Sequence, residues 1–179
     1  MVRRLAIPAA LAAALSATSC GGGSTLSIWK VSSIVGDKPA SCYPGGKITD
    51  FPPPTTTIET YQGDWELYQA SKGTYQLRID TKVYDGTDKG GGAYSFEGLK
   101  SDKTPDRIDS PTKTTTHTVT QTFALQVDGD TMTGTWTHLT TDRCDGGGCP
   151  TTYQDDHPDC TTTDQLRGTR VDIQIYHQE

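Results

Sequence analysis

The chain has 179 residues, 16 of them Lys or Arg and 22 Asp or Glu, for a net charge of −6. That balance excludes the cationic footprint by which proteins hold nucleic acid or anionic lipid head groups. Hydrophobic residues make up 32%, well under the roughly 45–50% (counting Gly) of globular chains. The core is therefore thin, and disulfides are expected to support it.

Residues 1–19 divide into the three parts of an export signal. Arg3 and Arg4 form a cationic start, residues 5–15 an Ala-rich apolar run, and small residues lead to Cys20. The run is shorter than the about 20 apolar residues of a membrane-spanning helix, so it targets the chain and does not anchor it. Ala17-Thr18-Ser19-Cys20 resembles the lipobox of bacterial lipoproteins, with Ala17 where that family usually has Leu. The resemblance implies a diacylglyceryl group on the Cys20 thiol, cleavage just before it, and fatty acylation (palmitate or similar) of the new N-terminus. Residues 20–24, the lipidated Cys with Gly21-Gly22-Gly23-Ser24, then read as a flexible tether. Gly21, rather than Asp, implies passage to the outer membrane where the envelope has two. The competing reading is an ordinary secretory signal with Cys20 in a disulfide, and Arg3-Arg4 leaves a twin-arginine route open. Parity favours lipidation: five Cys less Cys20 leaves an even four. Loss of the leader, with its two Arg and no acid, takes the net charge from −6 to −8.

Residues 25–179 read as one domain made almost wholly of strands. Thr, Val, Ile, Tyr and Trp dominate it, Gly and Asp punctuate it, and no stretch keeps helical apolar spacing. A first strand is expected over 26–35, then a loop over 38–54 carrying Cys42 and Pro52-Pro53-Pro54. Trp65 and Leu67 share a face with Leu77 and Ile79 if a three-residue loop, Ser71-Lys72-Gly73, joins their strands with Gly73 at positive φ. A strand over 93–99 and a charged, Pro-containing loop over 99–111 follow. Asp128-Gly129 centres the clearest hairpin. As a two-residue loop it sets Val127 opposite Asp130, Leu125 opposite Met132, Phe123 opposite Gly134 and Val119 opposite His138, with threonines on the other face. A long acidic, Gly-rich loop over 141–164 holds Cys144, Cys149 and Cys160, and a last strand spans 170–176. Cys42, Cys144, Cys149 and Cys160 allow three pairings, in each of which Cys42 joins the late loop. A zinc site from these Cys with His157 competes, against the oxidising compartment. The fold class is all-β: a single disulfide-stabilised antiparallel barrel or sandwich of about seven or eight strands. Gly63-Asp64-Trp65 and Gly134-Thr135-Trp136 resemble the Gly-x-Trp that opens lipocalin-like barrels, which implies a ligand-holding architecture.

Candidate sites are few. In the expected register His117 and His138 are diagonal neighbours on the apolar-facing side, either ligand contacts or a metal pair at a barrel mouth, or the solvated end of a hairpin. Asp155, Asp156 and Asp159, with Asp145, are carboxylates a calcium ion would use, but without the twelve-residue loop spacing; Asp85 to Gly90 fails that spacing at Lys89. Trp65, Phe123 and Trp136 would line a pocket or fill a core. There is no Gly-x-Ser-x-Gly nucleophile elbow and no phosphate-cradling glycine loop before a helix. The expectation is a non-catalytic, lipid-anchored envelope protein without cofactor or resident metal. It binds a small apolar or amphiphilic ligand, or alternatively meets an envelope protein partner with no small ligand.

Overall fold

The computed structural model describes residues 26–48, 59–105 and 112–171. The strands are β1 (Leu26–Ile34), β2 (Glu59–Ser71), β3 (Thr74–Ile79), β4 (Lys82–Gly90), β5 (Ala93–Pro105), β6 (Thr114–Asp128), β7 (Thr131–Asp145) and β8 (Cys160–Val171). Each pairs antiparallel with the next, and β8 pairs back onto β1 from Gln165↔Ile34 to Val171↔Ile28, closing an eight-stranded barrel. The barrel is the fold, and the sandwich alternative falls away. A single helical turn, α1 (Tyr153–Asp156), and two short 3₁₀ turns, Ala40–Cys42 and Pro44–Gly46, are the other regular elements described.

Alternation places at least one side chain of every strand in a continuous core. Trp29 and Val31 of β1, Trp65 and Leu67 of β2, Leu77, Tyr84, Phe96, Phe123, Leu125, Met132 and Leu166 all belong to it. An eight-stranded barrel is just wide enough for side chains to fill, and aromatic rings do most of the filling. Phe123 stacks on Trp136 at 5.3 Å and meets Trp65 edge-on at 5.6 Å and Tyr84 at 4.7 Å.

Three local expectations change. The β6–β7 turn is Gly129-Asp130, with Gly129 at φ +57 and Asp128 opposite Thr131. Leu125 therefore lies opposite Gly134 and Phe123 opposite Trp136. The faces survive because pairing slides by two, and the slide is favoured by packing: it stacks Phe123 on Trp136. A Cβ at Gly134 would come within 2.3 Å of the Ala124 carbonyl oxygen. In the β2–β3 hairpin the expected pairs Leu67↔Leu77 and Trp65↔Ile79 form. The turn is shorter than expected, since Ser71 pairs Thr74 and a bulge between Gln69 and Ser71 absorbs the extra residue. The loops expected over 99–111 and 141–164 are strand at their ends, β5 running to Pro105, β7 to Asp145 and β8 from Cys160. Of the strand expected over 170–176, only Arg170 and Val171 are described, at the end of β8; Ile173 and Ile175 lie outside the described residues.

Cys42 bridges Cys160, tying the chain after β1 to the start of β8, and Cys144 bridges Cys149 across the turn after β7. With all four oxidised, the zinc alternative has no thiolate to use. The bridges span 118 and 5 residues of sequence, so loop-closure entropy assigns about 5 kcal/mol to the first and about 2 to the second. Urea titration should accordingly show the Cys42→Ser/Cys160→Ser protein losing at least twice the stability that Cys144→Ser/Cys149→Ser loses. In the same assay Phe123→Ala should cost about 3–5 kcal/mol, the range for emptying a large aromatic site.

Candidate functional site

Beyond the aromatic layer, the inward positions of β6, β7 and β8 turn polar. Gln121, His138 and Asp164 stand one inward step past Phe123, Trp136 and Leu166. Tyr84 donates its phenolic proton to Gln121 Oε1 at 2.6 Å. His138 lies opposite Gln121, its ring 4.4 Å from that of Trp136, with Nε2 4.0 Å from Asp164 Oδ2. The other Asp164 oxygen accepts the Gly36 amide at 3.1 Å, so the carboxylate is held by the chain leaving β1. Trp136 Nε1 is buried with no hydrogen-bond partner among the described residues, whereas the indole N–H groups of Trp29 and Trp65 are satisfied by Ser27 Oγ and the Gln62 carbonyl.

Burial pushes the His138 imidazolium below its ordinary range, and the partial attraction of Asp164 does not reverse this. The ring is therefore neutral at neutral pH.

Two inward steps further out lies a cross-strand row, Asp102 of β5, His117 of β6 and Asp142 of β7. His117 Nδ1 and Asp142 Oδ1 are 2.7 Å apart, and Asp102 bridges Lys100 at 3.0 Å. The expected diagonal contact of the two histidines does not form: His138 faces Gln121, His117 faces Asp142, and the pair is offset by four residues, ~13 Å of strand. The two-residue slide of the hairpin separates them, and each finds its own carboxylate. No cluster of three or more metal-ligating side chains occurs among the described residues.

Of the residues read as pocket lining, Trp65 and Phe123 are fully buried against each other and Trp136 is partly buried beside them. Two of the acidic groups after β7, Asp156 and Asp159, are engaged. Asp159 accepts two bonds from Arg143, at 2.6 and 2.8 Å, which hold its carboxyl below the usual carboxylate range, and Asp156 accepts from Thr152.

One feature escaped the sequence reading. β4 and β5 pair only from Asp85↔Glu97 to Gly90↔Ala93, so Lys82 to Tyr84 and Gly98 to Lys100 splay apart. The opening is a groove of about 320 Å³, floored by Tyr84 and Gln121 and flanked by Val83 and Leu99. Its floor depends on Gly98, where a Cβ would stand 2.5 Å from the Tyr84 ring.

The chain matches no protein-family model, no curated protein and no solved structure, so its function is argued from this geometry.

The lowered His138 titration carries a pH signature. An unfolded chain binds the proton more readily than the folded one, so the stability due to neutral His138 is complete above the ordinary histidine range, about pH 6.5, and is lost as pH falls through the lower folded value. His138→Gln should therefore narrow the difference in urea midpoint between about pH 7.5 and about pH 5. An unchanged difference would remove His138 from the acid response.

Proposed function

We propose that this is a lipid-anchored protein of the bacterial cell envelope whose barrel is a non-catalytic interaction module. The observation that carries this reading is the packed interior. A lipocalin-like binder needs an empty barrel of about 300 Å³ or more, and here the space is taken by Trp65, Phe123 and their neighbours. What the molecule offers to partners is its outside: Thr-rich strand faces, exposed Leu99, Leu139 and Val83, and strand edges. Attachment falls to Cys20, in keeping with the net negative charge of the chain, which disfavours binding to anionic lipid.

A second reading, favoured by the groove between β4 and β5, is a small amphiphilic ligand held there against Tyr84 and Leu99. It moves the ligand from the barrel's centre to its wall.

Cell fractionation and native mass spectrometry separate these. Cys20→Ser should leave the domain folded and shift it from the membrane to the soluble fraction; continued pelleting would remove the lipid anchor. Envelope-purified wild type should carry only the mass of its N-terminal acyl groups. A further small adduct, lost on Gly98→Leu, would select the amphiphile reading instead.

A further inference from the structure

The interaction reading leaves the partner open, and the β5 edge identifies one. From Gly98 to Pro105, β5 pairs β6 on one side, and among the described residues nothing pairs its other side after Glu97↔Asp85. An unpaired edge of this length is a template for a further strand. It is extended throughout its pairing with β6, with no register shift, and proline enters only at its end, Pro105.

We propose that the occupant is the same edge of a second copy, antiparallel about a two-fold axis at Ser101, joining two barrels through a continuous sheet.

The argument is charge register. Two-fold pairing at Ser101 sets Lys100 opposite Asp102 of the second copy and Asp102 opposite its Lys100, Leu99 opposite Lys103, and Gly98 opposite Thr104. Directly opposite residues share a face, so both Lys–Asp pairs fall on the inner face, where Lys100 already bridges Asp102 within the chain. Four alternating charges then lie together. Neighbouring registers do worse. One step in one direction sets Lys100 against Lys103, and one step in the other leaves both ion pairs unmade. Two steps either way set Lys100 against Lys100 or Asp102 against Asp102. Lysines on an edge usually repel a second strand; in this register no lysine faces another lysine. Leu99 is 70% exposed and Val83 48%, and the Lys103 stem of the second copy would cover that apolar surface. The groove where β4 diverges supplies the room that its Thr104 needs beside Gly98.

The contact spans seven residues per copy, less area than the roughly 1,000 Å² of a stable interface. It is therefore weak in solution, with a dissociation constant on the order of 10⁻⁴ M. Chains held on one membrane surface gain effective concentration, which drives the pairing there.

The test is sedimentation equilibrium on the full chain carrying Cys20→Ser, up to ~1 mM, with circular dichroism and thermal melts to confirm folding of each variant. The parent should be in monomer–dimer equilibrium. Lys100→Asp and Asp102→Lys should each weaken self-association at least tenfold, because each sets like charges face to face. Mixed with each other, the two variants should associate as the parent does, and the Lys100→Asp/Asp102→Lys double variant should dimerise again. Single variants that associate like the parent, or a mixture no better than its components, would overturn the register. A parent monomeric to ~1 mM would overturn the second copy as occupant. That outcome leaves the interaction reading with a strand of different sequence as partner, whereas an added mass in native spectra bears on the interaction reading itself.

Discussion

The contact of Trp65, Phe123 and Trp136 is the constraint from which the rest of this structure follows. A sheet closed on itself has no outside layer to pack against, so its stability depends on what fills the tube. With hydrophobic residues at 32% of the chain, small aliphatic side chains would be too few. Three large rings from three strands, packed edge-on and stacked, cover the same volume with fewer residues. Each such ring removes 150–250 Å² from water, and they draw Tyr84 and Phe96 into the same cluster. The rings fill the middle of the tube, and the polar inward positions lie beyond them toward the rim.

Large rings impose small partners. Gly86 lies under the Phe96 ring and Gly98 under that of Tyr84, where a Cβ would approach within 2.3 and 2.5 Å. The second of these has a structural consequence at the wall. Tyr84 turns over Gly98 and hydrogen-bonds Gln121, and it is there that β4 stops pairing β5. The groove, and the β5 edge that no described residue pairs, are thus by-products of how the core is filled. The same packing argument explains the disulfides. Past the aromatic layer the inward positions become Gln121, His138 and Asp164, then Asp102, His117 and Asp142, and this polar rim adds little burial energy. Covalent ties at Cys42–Cys160 and Cys144–Cys149 lie at this end of the barrel, where apolar contacts run out.

The legible part of the fold was the part with a dry face. Trp65, Leu67, Leu77 and Ile79 share a side only in one register, and that register is the one formed. Val119, Phe123 and Met132 alternate with threonine, Leu125 and Val127 with Gln126, and together they announce a strand pair, although the Asp-Gly signal pointed one residue too early and core stacking decided the pairing. β4 was missed because Lys82 to Gly90 carries a single buried residue, Tyr84, which is no periodicity. The ends of β5, β7 and β8 carry a loop-like sequence for a related reason. Ser101 to Thr104 is wet on both faces, so alternation of polarity vanishes while the backbone ladder to β6 continues. The polar site was less legible still. Which histidine meets which carboxylate depends on pairing across strands, and a two-residue slide exchanges Val119 for Gln121 opposite His138 without altering either face.

A strand wet on both sides is held by its ladder and its neighbours, and this bears on what the rim can do. β6 is paired along its whole length by β5 and β7, so the far half of β5 is extended before any partner arrives. The entropy of ordering it is already met by folding, and a joining strand has only its own groups to arrange. Protection against unwanted joining must then come from side chains, and the alternation of Lys100, Ser101, Asp102 and Lys103 provides it selectively. Strands of uniform positive charge are repelled, neutral strands leave Asp102 and the lysines without new partners, and a strand with the opposite alternation is accepted. An antiparallel copy of this edge has that alternation in one register, so the pattern that defends the edge against other chains is the pattern that lets it meet itself.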